Sequence, residues 1–172
     1  MDLETAVRTR RTHKAYRPQP VDRATLEALF ELARWAPNHN LTNPWRFRVI
    51  GPRTLERLKL AAEAIERGSA AKLDRAPTLV VSTVRLSEDP VAEQEDAAAA
   101  AVATYLVLLG AHDRGLAGYW RTPRVLREAG GREAVGVGHD ERVLGLLYLG
   151  HATQVKDAPP RRAVDEVVQF LP

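Results

Sequence analysis

Two short segments of this chain crowd together side chains that could do chemistry. Ala36-Pro37-Asn38-His39-Asn40-Leu41-Thr42-Asn43-Pro44-Trp45-Arg46-Phe47 holds two prolines, three asparagines, a histidine and a tryptophan. That is more hydrogen-bonding capacity than a connector needs. Arg10-Arg11-Thr12-His13-Lys14-Ala15-Tyr16 sets clustered cations beside a hydroxyl. Arginine forks grip phosphate through paired bonds, and a hydroxyl adds a neutral donor. An asparagine amide offers a donor and an acceptor side by side, matching an edge of alternating carbonyl and N–H groups. Together the segments suit a large ligand with an anionic end and a planar, amide-rich end.

Each feature also has a plainer account. Taken alone, Arg10, Arg11 and Thr12 read as a solvated basic turn, and Lys14 as an exposed lysine. Asn38 and Asn40 are natural Asx-turn residues. Trp45 reads as core packing. Trp120-Arg121-Thr122 combines a buried tryptophan with a helix start, whose free backbone N–H groups also suit a carbonyl or ring nitrogen.

The elements that must position these segments follow from hydrophobic spacing. A short first helix around Leu3 and Val7 runs into the arginine cluster. Asp22 caps a second helix in which Leu26, Leu29, Phe30 and Ala33 recur at helical spacing, with Pro37 ending it. Phe47–Ile50 reads as a strand stopped by Gly51-Pro52, and a third helix covers about Thr54–Arg67. Thr78–Val84 is a continuous β-branched run, as expected of a strand buried on both faces. Pro90 opens a long helix, about Val91–Arg114, whose alanines at 97–101 let another backbone approach closely. Gly115–Trp120 is a short strand. Thr122 then reads as an N-cap with Pro123 at the first helical position. Arg142–Leu149 is a further strand. The mixture lacks a regular βαβ beat and a Gly-rich dinucleotide fingerprint, so the expected class is α+β, in one domain spanning 1–172.

Bulk properties narrow the function. The chain has no cysteine, which removes disulfides, thiolate metal sites and cysteine nucleophiles. Its net charge of +3 is mild and its arginines are scattered, so no nucleic-acid surface is expected. The five histidines lack ligand spacing, so no metal site is expected. Neither a nucleophile elbow nor a P-loop occurs. With no signal-peptide pattern at Met1-Asp2-Leu3-Glu4 and no bilayer-length apolar run, a cytoplasmic protein without membrane association is expected.

Four motifs in order make the chain resemble the nitroreductase-like FMN flavoproteins, particularly their short NAD(P)H nitroreductase branch. Arg10–Tyr16 is similar to that family's Arg-x-Ser-x-x-x-Phe entry. Ala36–Phe47 is similar to its Ala-Pro-Ser…Gln-Pro-Trp-Arg-Phe signature. Gly118-Tyr119-Trp120-Arg121-Thr122 and Leu146-Leu147-Tyr148-Leu149-Gly150 match its later strands. The resemblance spans about residues 3–170. It implies a mainly antiparallel sheet flanked by helices, and a homodimer with FMN at the interface.

By resemblance, Arg10, Arg11 and Thr12 hold the phosphate and ribityl end, and Lys14 approaches the pyrimidine side of the ring. His39 and Asn43 come from the partner subunit, while Trp120, Arg121 and Thr122 return to the first subunit's flavin. Gly110, Ala111, His112, Asp113, Arg114 and Gly115 match a stretch that meets the nicotinamide nucleotide. Thr12 replaces the usual Ser, Asn38 a Ser, and Asn43 the longer Gln. Arg161 or Arg162 could supply a C-terminal cation. The implied reaction takes hydride from NADH or NADPH onto flavin N5 and reduces a nitroaromatic, quinone or similar small acceptor by ping-pong turnover. No protein group is required as catalytic acid or base. The alternatives are a dehalogenase or dehydrogenase of the same fold, or an FMN-binding protein without turnover.

Overall fold

The computed structural model describes residues 1–172. Helix α1, Leu3–Thr9, starts where the Asp2 carboxylate accepts the Thr5 N–H at 2.9 Å. Helix α2, Arg23–Ala33, starts in the same way at Asp22, which accepts from both the backbone and the hydroxyl of Thr25. The apolar stripe of α2 buries Leu26, Leu29 and Ala33. This helix stops ahead of Pro37: Trp35 and Ala36 bond three residues back, and the coil tightens and unwinds before the proline is reached.

Four strands follow, β1 (Trp45–Val49), β2 (Thr78–Arg85), β3 (Ala117–Arg121) and β4 (Glu141–Gly150). They form one sheet in the order β1-β2-β4-β3, and every neighbouring pair is antiparallel. Strand β2 is buried from Thr78 to Val84, as its continuous, β-branched and uncharged run leads one to expect. Side chains alternate between two layers. Val80, Val84, Leu147 and Leu149 face a core shared with α2 and the long helix α4, Pro90–Asp113. Leu79, Val81, Leu146 and Tyr148 face a second core, closed by α3 (Pro52–Ile65), α5 (Ala129–Ala134) and the turn around Val125. The alanines of α4 do what their small size permits: Ala99, Ala100 and Ala103 are buried in the first core. No helix is long and apolar enough to cross a membrane.

One expected helix start fails. Thr122 caps nothing. Pro123 keeps an extended ψ of 147° and precedes a single 3-10 turn, Arg124–Arg127, and α5 begins only after Glu128. The Thr122 hydroxyl accepts a bond from Arg127 instead. Propensity does not decide this, since residues 124–129 are mostly good helix formers. The chain breaks at Glu128 because α5 folds back onto the turn so closely that a Cβ on Gly131 would clash with the Val125 carbonyl.

Candidate functional site

The segment after α1 runs beside edge strand β3. Thr12 bridges Gly118 in parallel, and the His13 N–H donates to the Gly118 carbonyl. Farther along, Tyr16 bridges Ala152, and Lys156 donates to the Thr12 carbonyl at 2.8 Å. These pairings place Arg10–Lys14, Gly118–Thr122 and the C-terminal segment together. The C-terminal cation at this place is Lys156; Arg161 and Arg162 lie on an exposed stretch beyond it.

Arg10 is half-buried over the Tyr105 ring, 5.9 Å from its centroid, and its Nε is buried without a hydrogen-bond partner. Arg11 is folded inward, and its guanidinium donates to the carbonyls of Arg8, Arg10 and Asp157. Thr12 and Lys14 are exposed. Two imidazoles join this cationic cluster. Burial holds His13 below the usual imidazole range, with Lys156, His112 and Arg10 adding to the effect. Burial likewise holds His112 down, with Arg10 and Arg11 adding and Asp113 opposing.

Trp120 donates its indole N–H to the Leu144 carbonyl at 3.0 Å. Gly145 makes room for it: a Cβ there would meet the indole at 2.3 Å. On the neighbouring strand β4, opposite Tyr119, Tyr148 is fully buried with its hydroxyl unpartnered. Burial pushes that phenol up, while Arg121 and Arg75 pull it back.

The loop with His39 and Asn43 lies elsewhere. His39–Leu41 forms a 3-10 turn, and Asn40, Leu41 and Asn43 all have positive φ, at 52°, 53° and 47°. The Asn38 side chain accepts the Asn43 N–H at 2.9 Å, and the Asn43 amide donates to the Leu41 carbonyl. Thr42 ties the loop to Asp96 in the first half of α4. His112, beside Arg10, lies 16 residues farther along that helix, about 24 Å at the helical rise. One protomer therefore does not bring His39 and Asn43 to the Arg10 cluster.

The stretch Gly110–Gly115 is the end of α4 and its turn into β3. Gly110 packs against Leu32 and Leu29, and Ala111 is fully buried, so neither offers a surface to a nucleotide. His112 bonds Thr9, and Asp113 pairs with the chain's amino terminus at 2.6 Å. Arg114 and Gly115 are exposed. A glycine pattern between apolar residues does not by itself separate a binding loop from a helix packed closely on its neighbour.

Sequence reading missed Lys156, Tyr105, Arg75 and Asp96. Only Asp96 left a signal. It is the acid that shares a helical face with Ala99, Ala100 and Ala103, three, four and seven positions on.

The family model described as Nitroreductase family matches residues 7–67. The Escherichia coli K12 protein YdjA, provisionally named an NAD(P)H nitroreductase, is 30% identical over 161 residues, covering 86% of each chain. A solved nitroreductase-like family protein from Bacillus cereus superimposes with a TM-score of 0.90 at 21% identity, over 99% of this chain and 96% of that one. NfnB from Sphingopyxis sp. strain HMH, described as an FMN- and NADPH-dependent nitroreductase, superimposes at 0.84 with 21% identity over the full length of both chains.

Proposed function

This chain belongs to the nitroreductase family, and from that premise we propose that it is an FMN-dependent oxidoreductase. It acts as a single-domain protomer of a homodimer and takes electrons from NADH or NADPH. The observation that carries the cofactor reading is Arg10. Its Nε is buried without a partner, in a cluster with Arg11, His13, His112 and Lys156. A buried donor left unpaired is costly, and a phosphate would satisfy it. The residues therefore fit the anionic end of FMN.

Arg10 and the Thr12 hydroxyl bind the phosphate and ribityl end. Arg11 adds charge there, and opens further donors if it releases its carbonyl partners. Lys14 lies toward the pyrimidine side, where positive charge favours an anionic reduced ring. Trp120, Arg121 and Thr122 border the same ring. His39 and Asn43 arrive from the partner subunit, consistent with their distance from Arg10 within one chain. The Asn43 side-chain amide donates one N–H to the Leu41 carbonyl and keeps its Oδ1 to accept a ring N–H. Bound FMN would supply the hydride chemistry, between the nicotinamide and a nitroaromatic, quinone or similar acceptor. One pocket serving donor and acceptor in turn makes the kinetics ping-pong.

The test is an absorbance spectrum after FMN loading and removal of excess, followed by anaerobic NADPH or NADH. Retained flavin that bleaches with either nucleotide is expected. Arg10→Ala is expected to weaken FMN binding by about 1.5–3 kcal/mol, the range for hydrogen bonds to charged groups. Wild-type protein that retains no flavin sinks the cofactor assignment, and unchanged affinity in the variant removes Arg10 from the phosphate site.

A further inference from the structure

Among the buried residues Asp96 is the one that carries a carboxylate, at 7% exposure beside the alanines of α4. Burying a carboxylate is expensive unless something compensates it. Its side-chain hydrogen bond is to the hydroxyl of Thr42, at 2.5 Å, the short length of a charge-assisted O–H bond to a carboxylate. Thr42 has a single proton to give, and its other neighbour, Asn38 Oδ1, lies at 3.5 Å. The proton therefore goes to Asp96.

Thr42 sits inside a strained turn. Leu41 and Asn43 flank it in the left-handed region, and Asn40 precedes them there. None is glycine. Left-handed backbone costs an L-residue free energy and persists only where the surroundings hold it. Asn43 also precedes Pro44, which restricts its backbone further. The side chain of Leu41 is 77% exposed and contributes little packing to hold the turn. From within, the turn is held by the Asn38–Asn43 and Asn43–Leu41 bonds and by Arg46, which donates to the Asn43 carbonyl; the Thr42–Asp96 bond is what ties it to α4 and the core.

We propose that Asp96 is a positioning residue: through the Thr42 hydroxyl it locks the 38–43 turn in the left-handed geometry that presents His39 and Asn43 to the flavin site of the opposite protomer. This rests on the flavin reading above for its consequence, but not for the anchoring itself. The arrangement explains why a charge is kept on the buried face of an alanine-rich helix, where alanine would fold more easily. It also makes the turn ready before the cofactor arrives, so that binding does not have to order it.

The experiment is backbone hydrogen exchange on the full chain without cofactor, followed by FMN titration of the same proteins. Thr42→Val and Asp96→Ala are each expected to speed exchange at residues 39–43 about tenfold, as loss of one charge-assisted bond implies. Thr42→Ser restores protection, and the double variant Thr42→Val with Asp96→Ala is no faster than either single change. Exchange in the centre of α4 stays at the wild-type rate. FMN affinity falls about tenfold in the same variants and returns in Thr42→Ser. Unchanged loop exchange in both single variants overturns the anchor, and a loosened loop with unchanged FMN affinity overturns the positioning role. A wild-type protein that binds no FMN sinks the cofactor reading and with it the positioning role; the exchange data then still decide whether Asp96 anchors the turn.

Discussion

His112 shows how one hydrogen bond decides a side chain's state. The Thr9 hydroxyl donates to the Thr5 carbonyl at 2.6 Å, so it must accept from His112, whose Nε2 lies 2.7 Å away. That assigns the proton to Nε2 in the neutral ring and leaves Nδ1 free. Protonating Nδ1 would add charge beside Arg10 and Arg11, which with burial explains the lowered pKa. His13 is depressed in the same direction. Below the ordinary imidazole value of 6.5 the unfolded chain binds these protons more readily than the folded one. Cofactor-free protein is therefore expected to lose stability as pH falls through that value, with full stability above it. Thermal melts between pH 8 and pH 5 check this, and a flatter dependence is expected in His112→Gln. A profile that stays level down to pH 5 would show that the two rings are not depressed. Arg10 and its neighbours were visible in the sequence as a basic cluster. The tautomer and the pKa directions were not, because they depend on burial, on Thr9 meeting His112 and on Lys156 meeting His13, which only folding brings about.

At the scale of elements, capping chemistry was readable where both partners are local. Asp22 and Thr25 are three residues apart, and the carboxylate accepts the Thr25 N–H at 2.8 Å. Its hydrogen bonds to Thr25 hold this carboxyl below the usual range. Thr122 has the same kind of residue type before a proline, yet no helix follows for it to cap. Asp22→Ala is thus expected to lower the melting temperature measurably, and Thr122→Ala to leave it near wild type. Equal losses in the two variants would mean that Thr122 stabilises the chain by a route other than capping. The strands were legible for a different reason. Residues 78–84 carry no charge and only small, β-branched or aliphatic side chains on both faces, which suits a central strand between two layers, and β2 is that strand. Strand order was not legible: it depends on β4 inserting between β2 and β3, a long-range pairing that no local pattern encodes.

For the whole molecule, the apolar residues left uncovered suggest where a second copy sits. Leu3, Trp35 and Leu41 are each about three-quarters exposed, and Val102 is open on α4. The final segment exposes Val164, Val167, Phe170 and Leu171. A monomer gains nothing by exposing so much apolar surface, whereas an obligate dimer buries it. Sedimentation is expected to give a particle of twice the 19.1 kDa chain mass. Val102→Glu is expected to shift it toward monomer and to release FMN at the same time. A stable monomer that keeps FMN would contradict a site shared between protomers.

The amino-acid sequence alone determined what depends on neighbours along the chain: the helical and strand periodicities, the cap at Asp22, the clustering of Arg10 to Lys14, and the polar loop from Asn38 to Asn43. Those features rest on interactions within a few residues, so their spacing is their signal. Tertiary structure decided the rest. It set Thr12 against Gly118, brought Lys156 to Thr12, buried Gly110 and Ala111 under α2, and fastened Thr42 to Asp96. Each of these joins residues far apart in the chain, and its stability comes from excluding water and pairing polar groups in a packed interior. Local spacing holds no record of which distant groups will meet there.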